Sequence, residues 1–305
     1  MKYVINKLIQ SVVTLFIISI VIFVATRSSG DPLQSLLDDK ASEEQRQYLT
    51  HELGLDQPLI VQYGIFIKDV LHGDLGKSYA SKRPVLEVIG EKLPNTLILA
   101  VAAILLAMLF TLVFGTLAAV KKNTWVDKGI IAFAALGQSC PIFFSAIIFV
   151  QILGVKLHWF PVSGASTPRH FILPSLLLGM AISSGMVMLL RNNMIAALEG
   201  EFIKFARLKG LREYLVILKH ALRNSFASVL SLSSFIFANL ISGSVAVESI
   251  FAWPGVGTLS YTAVLSRDFP LVQGIVLILS AFTILLSFLV DNLAAVLDPR
   301  VRNLT

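Results

Sequence analysis

Six long stretches without charged side chains dominate this sequence. Residues 8–26, 93–120, 129–155, 170–190, 224–247 and 269–290 contain no Asp, Glu, Lys or Arg. The hydrocarbon core of a bilayer is about 30 Å thick, and about 20 helical residues cross it. Backbone groups in lipid must be hydrogen-bonded within the protein, which favours helices. The sequence therefore predicts an all-α membrane protein with six transmembrane helices.

Composition agrees with a chain surrounded by membrane lipid. Hydrophobic residues make up 55% of the sequence and charged residues only 14%, whereas about a quarter is charged in soluble domains. The net charge of +6 does not indicate nucleic-acid binding, because Lys and Arg lie mainly in short segments between apolar stretches. The first stretch lacks a convincing signal-peptidase site, so we predict a retained helix.

The distribution of Lys and Arg predicts the orientation. With the N-terminus in the cytoplasm, 14 of these residues fall on the cytoplasmic side and 3 in short outer loops. Eight more lie in the segment from 27 to 92, which is too long to obey the charge rule. Both termini are therefore predicted to be cytoplasmic.

The outer segment from about 28 to 92 carries signals for two helices. Ser42 and Gln45 fit a capping box, and Gly54 is a plausible stop for the first helix. The second is predicted from Pro58 to Leu71. One interpretation places both helices against the membrane surface or the other helices. The alternative is a landing surface for an external partner.

The cytoplasmic segment from about 191 to 224 predicts one short helix, from Glu201 to Lys209, which stops at Gly210. Its acidic start and basic end complement the helix dipole. Ala206 leaves room for another protein to approach closely. A docking helix and a solvated basic linker remain the two interpretations of this segment.

Several functional classes lack their sequence signals. No phosphate loop and no H-E-x-x-H motif occurs, so no ATP, cofactor or metal is predicted on this chain, nor a catalytic residue. The single cysteine, Cys140, is interpreted as a small helix-packing residue beside Pro141. His158 and His170 are interpreted as loop residues rather than nickel ligands. Charged residues are rare inside the spans, which disfavours an ion-coupled carrier.

The segment from Glu201 to Leu211, followed by His220-Ala-Leu-Arg-Asn224, resembles the coupling loop of ABC importer permeases of the oligopeptide, dipeptide and nickel branch. Lys204 and Phe205 depart from the Glu-Ala-Ala pattern of the wider superfamily in the way usual for that branch. The other landmarks also follow the branch in order and spacing: Gly30-Asp-Pro32, Leu53-Gly-Leu-Asp-Gln-Pro-Leu59, Gly73-Asp-Leu-Gly76 with Ser78, Pro84-Val85, Asn95-Thr-Leu97, Pro141 with Phe143, Ile172-Leu-Pro174, Glu248-Ser-Ile-Phe-Ala-Trp-Pro-Gly-Val-Gly257, Arg267-Asp-Phe-Pro270 with Gln273, and Asp298-Pro-Arg300.

The resemblance implies a type I importer architecture in the cell inner membrane. It divides the chain into residues 1–92, with the first helix and the outer segment, and residues 93–305, a five-helix core with the coupling loop. The implied partners are a second homologous permease, two ABC ATPase subunits that carry ATP and Mg, and an extracytoplasmic substrate-binding protein. By the same resemblance, the residues expected to contact an ATPase are Glu201, Lys204, Ala206, Arg207 and Gly210.

The turn after the fifth stretch is the second candidate site. Trp253, Pro254, Gly255 and Gly257 cannot continue a helix, so the chain is expected to turn sharply at the outer interface. Trp253 is then either an interfacial anchor, or the segment from Glu248 to Gly257 shapes the outer mouth of the pathway. Near the opposite end, Asp291 is expected to pair with Arg300 or Arg302.

These features favour a permease subunit that forms half of a translocation pathway for dipeptides or oligopeptides. A permease for nickel or a metal chelate is the alternative within the same branch. A secondary transporter is a more distant alternative, and an intramembrane enzyme lacks a polar catalytic cluster. ATP hydrolysis is expected on separate subunits, so the chain itself is predicted not to be an enzyme.

Overall fold

The computed structural model describes residues 2–30, 33 and 42–297. Within these residues the chain forms helices and no named strand. Three stretches of the backbone are π-helical: Thr111–Gly115, Val150–Lys156 and Val216–Leu222. The α-helices are α1 (Lys2–Ser28), α2 (Glu43–Glu52), α3 (Leu59–Leu71), α4 (Val85–Phe110), α5 (Thr116–Val120), α6 (Trp125–Ser139), α7 (Ile142–Phe149), α8 (Arg169–Glu199), α9 (Glu201–Leu208), α10 (Glu213–Leu215), α11 (Arg223–Gly243), α12 (Val245–Ile250), α13 (Val256–Leu265) and α14 (Phe269–Leu297).

Five of the predicted spans are continuous apolar helices. They cover Asn6–Ser28, Val85–Val120, Arg169–Glu199, Glu213–Leu240 and Phe269–Leu289. The third predicted span, 129–155, is instead broken: α6 and the helical stretch Ile142–Lys156 meet at an angle of 108°. Pro141 causes the break, because it has no N–H to continue the helical hydrogen bonds. Cys140, interpreted from sequence as a small helix-packing residue, has an extended backbone in this break.

The two arms of the broken span contact successive levels of α8. Near the start of α6, Asp127 pairs with Arg191 in the C-terminal part of α8. Near the end of α6, a Cβ atom on Gly137 would lie 2.3 Å from Ser184 Oγ. Ala146 in α7 joins the apolar cluster that contains Leu173, close to the start of α8. The two arms therefore contact α8 along much of its length, and the described residues contain five candidate spans, or six if the broken pair counts as one.

Helix α8 is the centre of the bundle and packs against α4, α6 and α11. Its N-terminal half contributes to an apolar cluster at the predicted outer end, the outer apolar cluster, with α4, α13 and α14. This cluster includes the fully buried Leu99, Leu173 and Ile275. Its C-terminal half contributes to a second apolar cluster at the predicted inner end, the inner apolar cluster, which contains both Met194 of α8 and Ile203 of α9. Helix α9 is thus connected to the core through apolar packing.

The outer segment packs on the first and last helices. The capping box at the start of α2 is confirmed, with Gln45 N–H donating to Ser42 Oγ at 3.3 Å. Tyr63 of α3 forms a hydrogen bond of 2.8 Å with Ser19 of α1. Its ring also lies 5.4 Å from that of Phe23. These contacts support the interpretation that α3 lies against another helix.

A buried aspartate connects the outer segment to α14. Asp268 accepts hydrogen bonds from Ser78 Oγ at 2.5 Å, Tyr79 N–H at 3.0 Å and Ala80 N–H at 3.1 Å. Gln273 Nε2 donates to Thr26 Oγ1 of α1 at 2.5 Å. Residues assigned from sequence to the first 92 positions are therefore held against the last helix.

The expected pairing of Asp291 with Arg300 or Arg302 lies outside the residues whose side chains the structure describes, as does the landmark Asp298-Pro-Arg300. The same holds for Asp31 and Pro32 of the first landmark.

The predicted orientation can be tested with fused reporters. A reporter enzyme that works only outside the cytoplasm is expected to be active near Lys68 in α3 and inactive near Lys209, which follows α9. The reason is the count of 14 Lys and Arg on the cytoplasmic side against 3 in short outer loops. Activity is compared at equal abundance of the two fusions. Activity near Lys209 alone would reverse the orientation.

Candidate functional site

Helix α9 has one face packed in the chain and one exposed. Ile203 is fully buried in the inner apolar cluster, and Ala206 is 8% exposed beside it. From the sequence, Ala206 was expected to leave room for another protein. In the structure, other residues of this chain fill that room. The remaining surface of α9 exposes three large apolar side chains, Phe202 at 45%, Phe205 at 63% and Leu208 at 82%. An exposed apolar patch of this kind marks a surface for another protein.

The charged residues of α9 stay at its exposed surface in local ion pairs. Lys204 Nζ lies 2.7 Å from Glu201 Oε1. Arg207 donates to both oxygens of Glu213 in α10, at 3.2 and 2.7 Å, and this hydrogen bonding raises the pKa of Arg207 above its usual value. Exposed pairs contribute little to stability. Only the pair between Arg207 and Glu213 joins α9 to α10, because Lys204 and Glu201 both belong to α9.

Gly210 ends this helix in a left-handed conformation, with φ of +73°. Its N–H donates to Arg207 O at 2.9 Å, a typical way to close a helix C-terminus. A Cβ atom at Gly210 would have no atom of this chain within 4 Å. The predicted helix stop is confirmed, and the glycine lies on an open surface rather than in the core.

A buried ion pair lies at the predicted inner end of the bundle. Arg191 of α8 donates from Nε and Nη2 to the two oxygens of Asp127 in α6, at 2.6 and 2.7 Å. Asn123 N–H donates to the same carboxylate at 2.8 Å. This pair was not predicted from the sequence. The only signal in the sequence was that Asp127 and Arg191 each lie near the end of a charge-free stretch. Both ends are predicted to face the cytoplasm.

The outer turn is organised around Glu248, which is fully buried. Its carboxylate accepts hydrogen bonds from Thr96 Oγ1 at 2.8 Å and Ser244 Oγ at 2.9 Å. Two backbone N–H groups of the following helix, at Gly257 and Thr258, also donate to it, at 2.7 and 3.2 Å. One carboxylate therefore joins α4, α12 and α13.

Trp253 is part of the same outer cluster and not an anchor at the membrane interface. It is 7% exposed, and its Nε1 donates to Asn95 O at 3.1 Å. Asn95 Nδ2 donates in turn to Pro254 O at 2.9 Å. The interpretation of Trp253 as an interfacial anchor is therefore wrong, because the ring packs inside the protein, with its centre 5.7 Å from that of Phe171.

The glycines of the turn allow the chain to approach the carboxylate closely. A Cβ atom on Gly255 would lie 2.3 Å from Glu248 Oε2, and one on Gly257 would lie 2.7 Å from it. Glu248, Trp253, Pro254, Gly255 and Gly257, which were selected from sequence, thus meet in one cluster. The sequence did not reveal that Thr96 and Asn95 complete it.

Residues 111–303 match the family described as binding-protein-dependent transport system inner membrane component. Residues 1–100 match the N-terminal part of such membrane components. This chain belongs to that family. As an importer permease it is an inner-membrane protein, and the resemblance inferred from sequence is confirmed.

Characterised relatives match this permease over its whole length. The glutathione transport system permease protein GsiC of Escherichia coli (strain K12) is 36% identical over 303 residues, which is 99% of each chain. The protein of the same name from Salmonella typhi is 37% identical over the same length. Membership implies an extracytoplasmic substrate-binding protein and ATPase subunits as partners of the permease. A secondary transporter is not favoured by these matches.

No cluster of three or more potential metal ligands occurs among the described residues of the permease. His170, interpreted from sequence as a loop residue, lies instead in the first turn of α8, and its Nδ1 forms a hydrogen bond with Thr167 Oγ1 at 2.8 Å. His158 has a φ of +53° in the loop before α8.

Proposed function

We propose that this permease forms half of the translocation pathway of an ATP-driven importer for short peptides, glutathione among them. The observation that carries the proposal is the arrangement of α9. One face of this helix packs into the core, and the rest of its surface exposes large apolar side chains. The full-length similarity to permeases named for glutathione transport supports peptides over nickel or a metal chelate as the substrate. A second, similar permease would provide the other half of the pathway.

The geometry suggests how ATPase movement would reach the membrane helices. ATP and Mg would bind to the ATPase subunits, and α9 would dock on one of them through Phe205 and Leu208. Ile203 connects α9 to α8, and the pair between Arg207 and Glu213 connects it to the segment that leads into α11. Rigid-body movement of the docked ATPase would therefore be passed through α9 and would shift two spans together.

Assembly and substrate can be tested in one preparation. Purification in mild detergent is expected to recover this chain with a second permease and two ATPase subunits. After reconstitution with the cognate binding protein, uptake of glutathione or a dipeptide is expected, without uptake of chelated nickel. Uptake by the isolated chain, without ATPase subunits, would contradict the coupling proposal. Uptake of nickel alone would contradict the substrate.

A further inference from the structure

A cavity of about 680 Å³ lies between the outer segment and the beginning of α14. Its walls come from the end of α1, from α2 and α3, from the loop before α4 and from the first turn of α14. The volume falls in the range of about 300–1,000 Å³ that is usual for small-molecule sites. Hydrogen bonds hold these walls together, because Tyr79 N–H donates to Asp268 and Gln273 donates to Thr26.

Gln62 of α3 is a buried side chain in this wall, 8% exposed, and only part of its amide is paired. Its Nε2 donates to Leu55 O at 3.3 Å and to Gln57 O at 2.8 Å. Its Oε1 accepts no hydrogen bond within the described part of the chain. Buried polar atoms are almost always paired, so a donor from outside this chain is expected at the oxygen.

Arg27, near the end of α1, contributes unpaired donors to the same cavity. Its Nε is buried without an acceptor, and its guanidinium forms no ion pair with any described residue. The guanidinium carbon lies 5.5 Å from the centre of the Phe23 ring, which supports the cation from one side. The N–H groups remain available to an anion such as a carboxylate, which accepts two parallel hydrogen bonds from arginine.

The charged side chains around the cavity are equal in number for the two signs. None of them forms an ion pair with another among the described residues. The three basic residues are Arg27, Lys77 and Lys82, and the three acidic residues are Glu52, Asp69 and Asp74. A wall of one sign would favour an ion of the opposite sign. Equal numbers instead favour a ligand that carries both a positive and a negative group.

Asp69 lies on the same face of α3 as Gln62. Gln62, Phe66 and Asp69 follow one another at intervals of four and three residues, and all three line the cavity. Asp74 Oδ1 already accepts a hydrogen bond from Gly76 N–H at 2.8 Å. The Asp69 carboxylate has no such partner among the described residues, which leaves it available to a cationic group.

We infer that this cavity binds a short zwitterionic peptide, whose terminal carboxylate contacts Arg27 and whose terminal ammonium contacts the acidic wall at Asp69. The inference rests on the proposed function and adds a peptide site on the permease itself. A peptide N–H group would donate to Gln62 Oε1. Every unmodified short peptide carries both terminal charges, so the site would accept peptides with different side chains.

Binding of trialanine to the purified complete importer tests this site. Equilibrium dialysis with radiolabelled peptide is carried out without the binding protein and without ATP. The wild-type importer is expected to bind trialanine. It is expected to bind trialaninamide, which lacks the carboxylate, about tenfold more weakly. Absence of trialanine binding would overturn the inference. Uptake with the binding protein and ATP is measured separately, so failure of the proposed function is recognised on its own.

Arg27→Gln locates the bound carboxylate. Trialanine is expected to bind this variant about tenfold more weakly than it binds the wild type, because a charge-assisted pair is lost. Trialaninamide should bind both proteins almost equally, since its group for Arg27 is already absent. A general distortion of the protein would weaken both peptides alike. Equal losses for the two peptides, or no loss for trialanine, would rule out the contact with Arg27.

Asp69→Asn tests the acidic wall. Trialanine binding is expected to weaken about two- to fivefold, the effect of an exposed charge pair. N-Acetyltrialanine lacks the ammonium group and should be insensitive to the change. Lys68→Gln is the matched control, because this exposed neighbour on α3 does not line the cavity and its replacement should leave binding unchanged. Unchanged trialanine binding by Asp69→Asn would contradict the contact with the ammonium group.

A lipid headgroup is the competing ligand, because phosphatidylethanolamine also carries an ammonium group and an anionic group. Glycerophosphoethanolamine, its soluble headgroup, is therefore added to the same dialysis. Unlabelled trialanine is expected to displace the labelled peptide at lower concentration than glycerophosphoethanolamine does. The reverse order of the two competitors would identify a lipid site, and the peptide inference would then be wrong.

Discussion

Replacing Gly210 with valine is expected to abolish uptake while the permease stays in the membrane at normal abundance. Gly210 has a φ of +73°, which a β-branched residue adopts at a cost of about 1–3 kcal/mol. A new side chain there meets no atom of this chain within 4 Å. Folding of the bundle should therefore tolerate the change, and the altered turn would disturb docking on the ATPase. Substrate-stimulated ATP hydrolysis is expected to disappear together with uptake.

Two control variants separate the possible causes. Gly210→Asn adds a side chain that tolerates the left-handed conformation, so activity should be partly retained if backbone geometry is what matters. Gly64→Val changes a glycine in α3 that also has open space around it but no positive φ, and it should have little effect. Normal uptake by Gly210→Val would show that α9 and its turn are a solvated linker.

Replacing Glu248 with alanine is expected to have the largest effect on stability. The substitution leaves four hydrogen-bond donors in a buried cluster without their acceptor. Each orphaned donor costs about 1–3 kcal/mol, so a total loss above about 3 kcal/mol is expected. Abundance in the membrane should fall, and the midpoint of thermal unfolding in detergent should drop.

The size of the Glu248 effect is judged against two other variants. Glu248→Gln keeps one acceptor oxygen and should be intermediate. Glu87→Ala, in the same α4 helix that carries Thr96, removes a side chain that is 55% exposed, and it should leave the unfolding midpoint almost unchanged. Equal stability of the Glu248→Ala and Glu87→Ala variants would mean that the buried carboxylate does not hold the outer turn together.

The helices were predictable because the membrane imposes a strong and local rule. The spans were located by the length of stretches without charged residues. Short-range signals located helix ends: Ser42 with Gln45 marked an N-terminal cap, and Gly210 marked a C-terminal stop. These signals depend on residues only a few positions apart. The exposed face of α9 was less accessible, since Ala206 looked available to a partner until the fold placed it against the core.

The outer cluster and the inner ion pair could not be predicted because their partners are far apart in sequence. Thr96 and Glu248 are separated by 152 positions, and Asp127 and Arg191 by 64. Trp253 was misjudged for a related reason: a tryptophan near a span end is typical of the interface, and only the position of Phe171 reveals that it is enclosed. The bend at Pro141 was missed because hydropathy averages across the break.

The hydrogen bonds from Ser78, Tyr79 and Ala80 to Asp268 also constrain how the protein is made. Ser78 and Asp268 are separated by 190 positions. At about 5–20 residues per second, synthesis leaves the outer segment without this acceptor for about 10 to 40 seconds. In the predicted orientation, the segment is already outside the membrane during that interval. Its final docking therefore reports that Asp268 has reached the same side of the membrane as the segment. A chain truncated before Asp268 would leave the segment open to extracytoplasmic proteases.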